Sequence, residues 1–346
     1  MMKAIQKVVD GFMLACPLAF LIALHSQRLF ADEDSTNPLR GAIEKGLVIS
    51  TRGADNYPNH RQCFSCHHQT LPVLAMVEGR KFGVAIDNEV LQSQVDFTYD
   101  SFNERVENMN QGKGIGGKAF TVGYGLWTLN LVHREQDATT TAMVNYLLLT
   151  QTAEGKWIPH SIRPPLEESE AMCTTLAAYY LGEFATEEQR AAADKAIQQA
   201  HHWVSESKPK SQEDWNAKLW STSFFDQDEE KVNVMRQKVM TRQRPDGGWS
   251  QLTEMESDAY ATGQTLYILR ATGSSPQGPE LQRGLQFLLR SQHKDGSWFV
   301  KSRSKAIQEI FDNGDPHGDN QFISIAATGW AVSALAAIGE LSRDHE

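Results

Sequence analysis

The chain has 346 residues and a formal net charge of −10, from 33 Lys and Arg against 43 Asp and Glu. That acidic balance excludes nucleic acid and other polyanions as its main partners. Four cysteines, Cys16, Cys63, Cys66 and Cys173, imply no disulfide framework.

In chain order, residues 1–31 read as a cleaved export signal. Lys3 and Lys7 form a positive start, residues 11–24 are uncharged and mostly apolar, and Ala31 offers a small residue for cleavage before Asp32-Glu33-Asp34. The apolar run is shorter than the roughly 20 residues needed to span a bilayer. An uncleaved anchor or a buried helix is the structural alternative. Cleavage would leave residues 32–346 as an exported, periplasmic, monomeric domain that is not an integral membrane protein.

Two apolar helical stretches, 39–50 and 69–79, flank Cys63-Phe64-Ser65-Cys66-His67. Cys-x-x-Cys-His is the attachment pattern of c-type haem. Each thiol adds to one haem vinyl, and the histidine beside the second cysteine becomes an axial iron ligand. Attachment takes place outside the bacterial cytoplasm, which agrees with an export signal. The alternative at this loop is a structural zinc held by Cys63, Cys66 and His67 or His68, completed by His317. That site lacks a second ligand pair at the usual spacing.

A second helical pair is expected over 89–107 and 119–133. Beyond it a motif recurs three times, as Gln151-Thr-Ala-Glu-Gly155-Lys-Trp157, Gln243-Arg-Pro-Asp-Gly247-Gly-Trp249 and Gln292-His-Lys-Asp-Gly296-Ser-Trp298. Each copy joins two helical stretches. In the second stretches Thr174, Thr262 and Thr328 stand seven residues before Leu181, Leu269 and Leu335. The gap between the first two motifs leaves room for one degenerate copy, found at 201–208 and 215–225. The pattern therefore predicts an all-α protein with a single domain of six helical hairpins. A lone hairpin cannot cover its apolar face, so the six must pack on one another, and a closed (α/α)6 toroid buries both ends of the array.

The three motifs resemble the QW repeats of the squalene–hopene cyclase and protein prenyltransferase superfamily. The resemblance implies an α/α toroid of inner and outer helices, with structural tryptophans. The activities do not transfer with it. The nearest string to the cyclases' Asp-x-Asp-Asp acid is Asp226-Gln227-Asp228-Glu229-Glu230, which reads as a helix cap and first turn. The nearest to the prenyltransferases' zinc-binding Asp-x-Cys is Glu170-Ala171-Met172-Cys173, which has the wrong spacing. His68-Gln69-Thr70-Leu71-Pro72, Arg163-Pro164-Pro165-Leu166-Glu167 and the segment 316–324 are similar to exported bacterial toroid proteins that carry the cysteine motif in their first repeat.

In that fold every outer-to-inner loop lies at one end of the ring. Closure sets the last repeat beside the first, so His317 is expected near His67 as a second axial ligand, with His160 the next choice. Arg163 is expected to supply a fixed positive charge to the cofactor's carboxylates. Met76 is a possible sulfur ligand that reads better as core. Trp127, Tyr124, Tyr179, Tyr180, Tyr260 and Trp330 are a weaker expectation for the lining of a pocket below. The reading is an exported haem c protein for electron transfer or oxidation of an apolar substrate, with an apolar small molecule or a redox partner. The alternative from another class is a haem-free cyclase- or prenyltransferase-like enzyme or isoprenoid binder.

Overall fold

A computed structural model describes residues 37–160, 163–226, 228–305 and 309–339. The expected export signal lies outside these residues. Among the described residues, six outer helices, α1 (Pro38–Asn56), α3 (Asn88–Asn103), α6 (Ala138–Thr150), α8 (Arg190–Glu206), α10 (Glu229–Met240) and α12 (Pro279–Ser291), alternate with six inner ones. The inner helices are α2 (Leu71–Lys81), α5 (Lys118–Leu131), α7 (Glu170–Phe184), α9 (Gln212–Phe225), α11 (Ala259–Ala271) and α13 (Gln321–Gly339), and a short α4 (Val106–Met109) precedes α5. Each inner helix packs on the next, and α13 closes the ring by packing on α2 and α1. The chain is thus the all-α toroid that the repeats predict.

Side-chain caps set the starts of these helices. Asp87, Asp137, Ser169, Ser211, Asp228 and Asp258 each accept backbone N–H bonds from the first turn of the helix that follows. Asp228 confirms that the acidic run before α10 is a cap. The outer helices bury one face. Most inner ones, α9 apart, bury the larger part of their surface, and α13 is the extreme case. It is long and apolar enough to cross a membrane, yet 94% of its most apolar window is buried inside the protein. It is the core helix of the ring.

The repeat motif works as a three-way joint. Trp157, Trp249 and Trp298 are fully buried, and their indole N–H groups donate to Leu147 O, Val239 O and Leu288 O at the ends of α6, α10 and α12 (2.9, 3.0 and 2.9 Å). Their backbone N–H groups donate to the hydroxyls of Thr174, Thr262 and Thr328 on the inner helices. The glutamines reach sideways to the next outer helix. Gln151 donates to Ala196 O, Gln243 to Glu280 O and Gln292 to Ala42 O (2.8, 2.7 and 2.9 Å). The last of these bonds spans the ring closure. In the degenerate fourth hairpin Lys218 takes the place of the indole, donating to the carbonyls of Val204, Ser205 and Ser207 at the end of its own outer helix α8.

The aromatic residues of the inner helices fill the ring. Trp127 packs with ring centroids 5.4–6.3 Å from Trp220, Trp330 and Tyr180, and Tyr124, Tyr260 and Trp330 are almost wholly buried. They plug the centre instead of lining a pocket. Met76 is 1% exposed and belongs to the core.

Candidate functional site

The cysteine motif occupies the outer-to-inner loop of the first hairpin and leads into one π-helical turn, Cys66–Thr70. Such wide turns recur at functional sites. The residues after the motif clamp it. Gln69 Oε1 accepts the Ser65 backbone N–H at 2.8 Å, and Thr70 Oγ1 bonds Tyr124 O and Thr128 Oγ1 on α5.

Above this turn lies a cavity of about 540 Å³, within the range of small-molecule sites. Cys63, Cys66 and His67 all border it, and Phe64, Phe102, Leu166, Phe311, Phe322 and Ile323 supply apolar walls. Arg105, Arg163, Lys305 and His160 stand at its polar margin. Cys63 is exposed, with its Sγ 3.7 Å from the Tyr57 hydroxyl. Cys66 is buried, and burial, helped by the Glu167 charge, pushes its thiol up to about 12. Arg163 is gripped by both carboxylate oxygens of Glu167, with Nε donating to Oε2 at 2.9 Å. It borders the cavity as half of an ion pair with Glu167.

Two adjacent histidines stand on the turn. His67 packs 5.5 Å from the Phe322 ring, and burial with the nearby Arg163 charge lowers its pKa to about 3. His68 is 0% exposed, stacks on Tyr57 at 4.5 Å, and is held well below the ordinary imidazole value by burial and by His67. Both are therefore neutral near pH 7. His67 Nδ1 lies 2.6 Å from His68 Nδ1 and 3.1 Å from Ser65 Oγ, which leaves its Nε2 edge for the cavity.

The last repeat does reach this site, but not with His317. His317 Nε2 bonds Ser297 Oγ at 2.9 Å, and its ring packs on His293 and Phe299 at the motif loop of the same repeat. It does not border the cavity, so the expected pairing with His67 is corrected. The cause is that Ser297 Oγ and the His293 and Phe299 rings hold the His317 ring at its own repeat's motif loop, while Asp315 Oδ1 accepts the His317 backbone N–H. Asn313, four residues earlier, meets His68 instead, with Nδ2 2.7 Å from His68 Nε2. His160, the second choice, borders the cavity. No sequence signal singled out Asn313 or Phe311, which lie on an irregular loop with no periodicity.

The residues fit a covalent haem in composition: two thiols and an imidazole face one apolar cavity with cations at its margin. Among the described residues, no three His, Cys, Asp or Glu side chains converge as a metal cage.

No family model and no curated protein sequence matches the chain. Solved structures match its fold. A substituted variant of the type II terpene cyclase MstE from Scytonema, in complex with geranylgeranyl dihydroxybenzoate, superposes with a TM-score of 0.55 at 14% identity, over 88% of this chain and 98% of that one. A glycosidase variant in complex with glucose gives 0.61 at 10% identity, over 88% and 97%. An ent-copalyl diphosphate synthase from Streptomyces platensis gives 0.51 at 11% identity, over 79% of this chain but only 50% of that one. At such identities the likeness establishes a terpene cyclase-like toroid. It does not transfer a reaction.

Proposed function

We propose that the chain is an exported c-type haem protein on an α/α toroid, with haem c held in the cavity of the first repeat. The observation that carries this reading is the convergence of Cys63, Cys66 and His67 on one apolar cavity with a cationic margin. Cys63 and Cys66 would hold the cofactor covalently, and His67 would ligate its iron. Arg105, and Arg163 within its ion pair, suit the two haem carboxylates. Bound haem supplies one-electron chemistry at its iron. The chain itself supplies apolar walls and an imidazole kept neutral near pH 7. The role is electron transfer, or oxidation of an apolar molecule, in the periplasm.

Expression with a haem-attaching system tests this. Wild type should give a red protein with a Soret band, and Cys66→Ala should lose covalent haem with its helical circular dichroism intact. His317→Ala should leave the haem spectrum unchanged, because Ser297 holds that ring away from the cavity. A colourless wild type with free thiols would sink the reading.

A second reading has an observation of its own. Arg105, Arg163 and Lys305 border apolar walls without any need of haem, which suits an amphiphilic anion such as an isoprenoid acid. Saturable binding of a prenylated carboxylate to colourless wild-type protein would favour it.

A further inference from the structure

The aromatic plug of the ring is continuous, and indole and phenol are the aromatic side chains that give up an electron most readily. Tyr124 stands behind the turn under the cavity. Its backbone carbonyl accepts from Thr70 Oγ1, and the charges of Glu213 and Cys66 act on its buried hydroxyl. From Tyr124 the ring centroids step 5.6 Å to Trp127, which lies 5.4 Å from Trp220 and 5.7 Å from Trp330. Tyr267 ends both branches, 6.4 Å from Trp220 and 5.7 Å from Trp330. A third branch runs 6.3 Å from Trp127 to Tyr180 and 4.9 Å on to Tyr179. Tyr179 and Tyr267 are only partly buried and stand late in α7 and α11, towards the end of the ring opposite the cavity.

Packing alone does not account for these residue types. Tyr124 Oη and Trp330 Nε1 are buried with no protein partner, and burying an unpartnered polar group is costly, so plain hydrocarbon would fill the space better. The same feature suits the passage of charge. An oxidised indole whose N–H has no acceptor keeps its proton and draws an electron from the next ring, instead of settling as a neutral radical.

We propose that the stack from Tyr124 through Trp127 to Tyr179 and Tyr267 is an electron conduit, which carries electrons along the ring from its opposite face to the cavity. The claim rests on the reading of the cavity as a redox site. A one-electron oxidant generated at the cavity by a peroxide takes one electron through Trp127. Tyr179 or Tyr267 gives up that electron, and its phenolic proton passes to water, or from Tyr179 to the nearby Glu183 carboxylate. A soluble one-electron donor, such as ascorbate or a small phenol, returns the electron, and water returns the proton. Two such transfers, with two protons, reduce one hydrogen peroxide to two waters. The opposite face is thus a site for small reducing substrates that never enter the apolar cavity.

The test needs no haem. A photo-oxidant is coupled to the exposed Cys63 thiol of the haem-free Cys16→Ala chain, in which Cys66 and Cys173 are buried. It is flashed with a spin trap that adds to tyrosyl radicals, and adducts are mapped by peptide mass spectrometry. Wild-type sequence at the stack should give adducts at Tyr179 and Tyr267 as well as at Tyr57, whose hydroxyl is 3.7 Å from Cys63 Sγ. Trp127→Phe should lose the two distant adducts and keep the one at Tyr57. Trp127→Tyr, which also shortens the side chain but leaves it oxidisable, should regain them. Should Trp127→Phe not fold, Tyr179→Phe combined with Tyr267→Phe should leave a longer-lived tryptophanyl signal in electron paramagnetic resonance. Haem-loaded protein given hydrogen peroxide should mark the same two tyrosines. Adducts confined to the mouth in either preparation, distant adducts that survive Trp127→Phe, or an unchanged radical signal in the double variant would each overturn the proposal. If the haem-attaching host yields no haem protein, the haem reading fails, and the labelled chain judges the conduit by itself.

Discussion

At the scale of single residues, the two cysteines of the motif differ in a way their shared pattern hides. Cys63 is exposed, whereas Cys66 is buried with its thiol raised to about 12 by burial. Only the thiolate attacks an alkylating agent. Haem-free native protein at pH 8 should therefore take up iodoacetamide at Cys63 well before Cys66, as read by peptide mass spectrometry; equal rates would contradict the burial. Asp315 shows a second effect of burial. It is 3% exposed, its Oδ2 has no partner, and burial together with Asp295 raises its pKa to about 7 against the opposing charge of Arg52. The folded state then binds the proton more tightly than the unfolded one, so stability falls as pH rises from the unfolded value of 3.8 through about 7. Asp315→Asn keeps the acceptor for the His317 N–H and removes that penalty. It should leave urea stability nearly unchanged near pH 3.5 and raise it by roughly 1–4 kcal/mol at pH 8.

At the scale of elements, the glycine of each repeat motif explains why outer helices can sit so close together. Gly155, Gly247 and Gly296 have φ of +91, +90 and +98°. A Cβ on them would fall 2.7, 2.6 and 2.5 Å from the carbonyl oxygens of Gln199, Arg283 and Lys45 on the next outer helix. Gly296→Ala should therefore cost at least about 2 kcal/mol, while Gly41→Ala, with nothing within 4 Å of the added carbon, should stabilise α1 by about 0.5–1 kcal/mol. Thermal melts of the two variants test the pair. Trp298→Ala should cost roughly 3–5 kcal/mol and leave the cavity's chemistry alone. These joints were legible in the sequence because glutamine, glycine, tryptophan and threonine recur at fixed offsets. The fourth hairpin was found only from the gap it had to fill, since Lys218 replaces the motif with a single flexible side chain.

At the scale of the whole molecule, ring closure was legible too, and it correctly predicted that the last repeat meets the first. Which atom meets which was not legible. Closure brings a loop, and a loop has no period from which to read the direction of a side chain, so His317 and Asn313 could not be told apart. The aromatic residues of the inner helices were recognisable as inward-facing. Their number and bulk close the centre, which confines the cavity to the mouth where the cysteines stand. On the proposed function this mouth would carry a covalent haem. The most direct measurement is mass spectrometry of the mature protein from a haem-attaching host, followed by sequencing of the peptide spanning Cys63 and Cys66. One haem on that peptide, bonded at both cysteines, is the predicted result. An unmodified peptide from a host that loads other c-type proteins would contradict it.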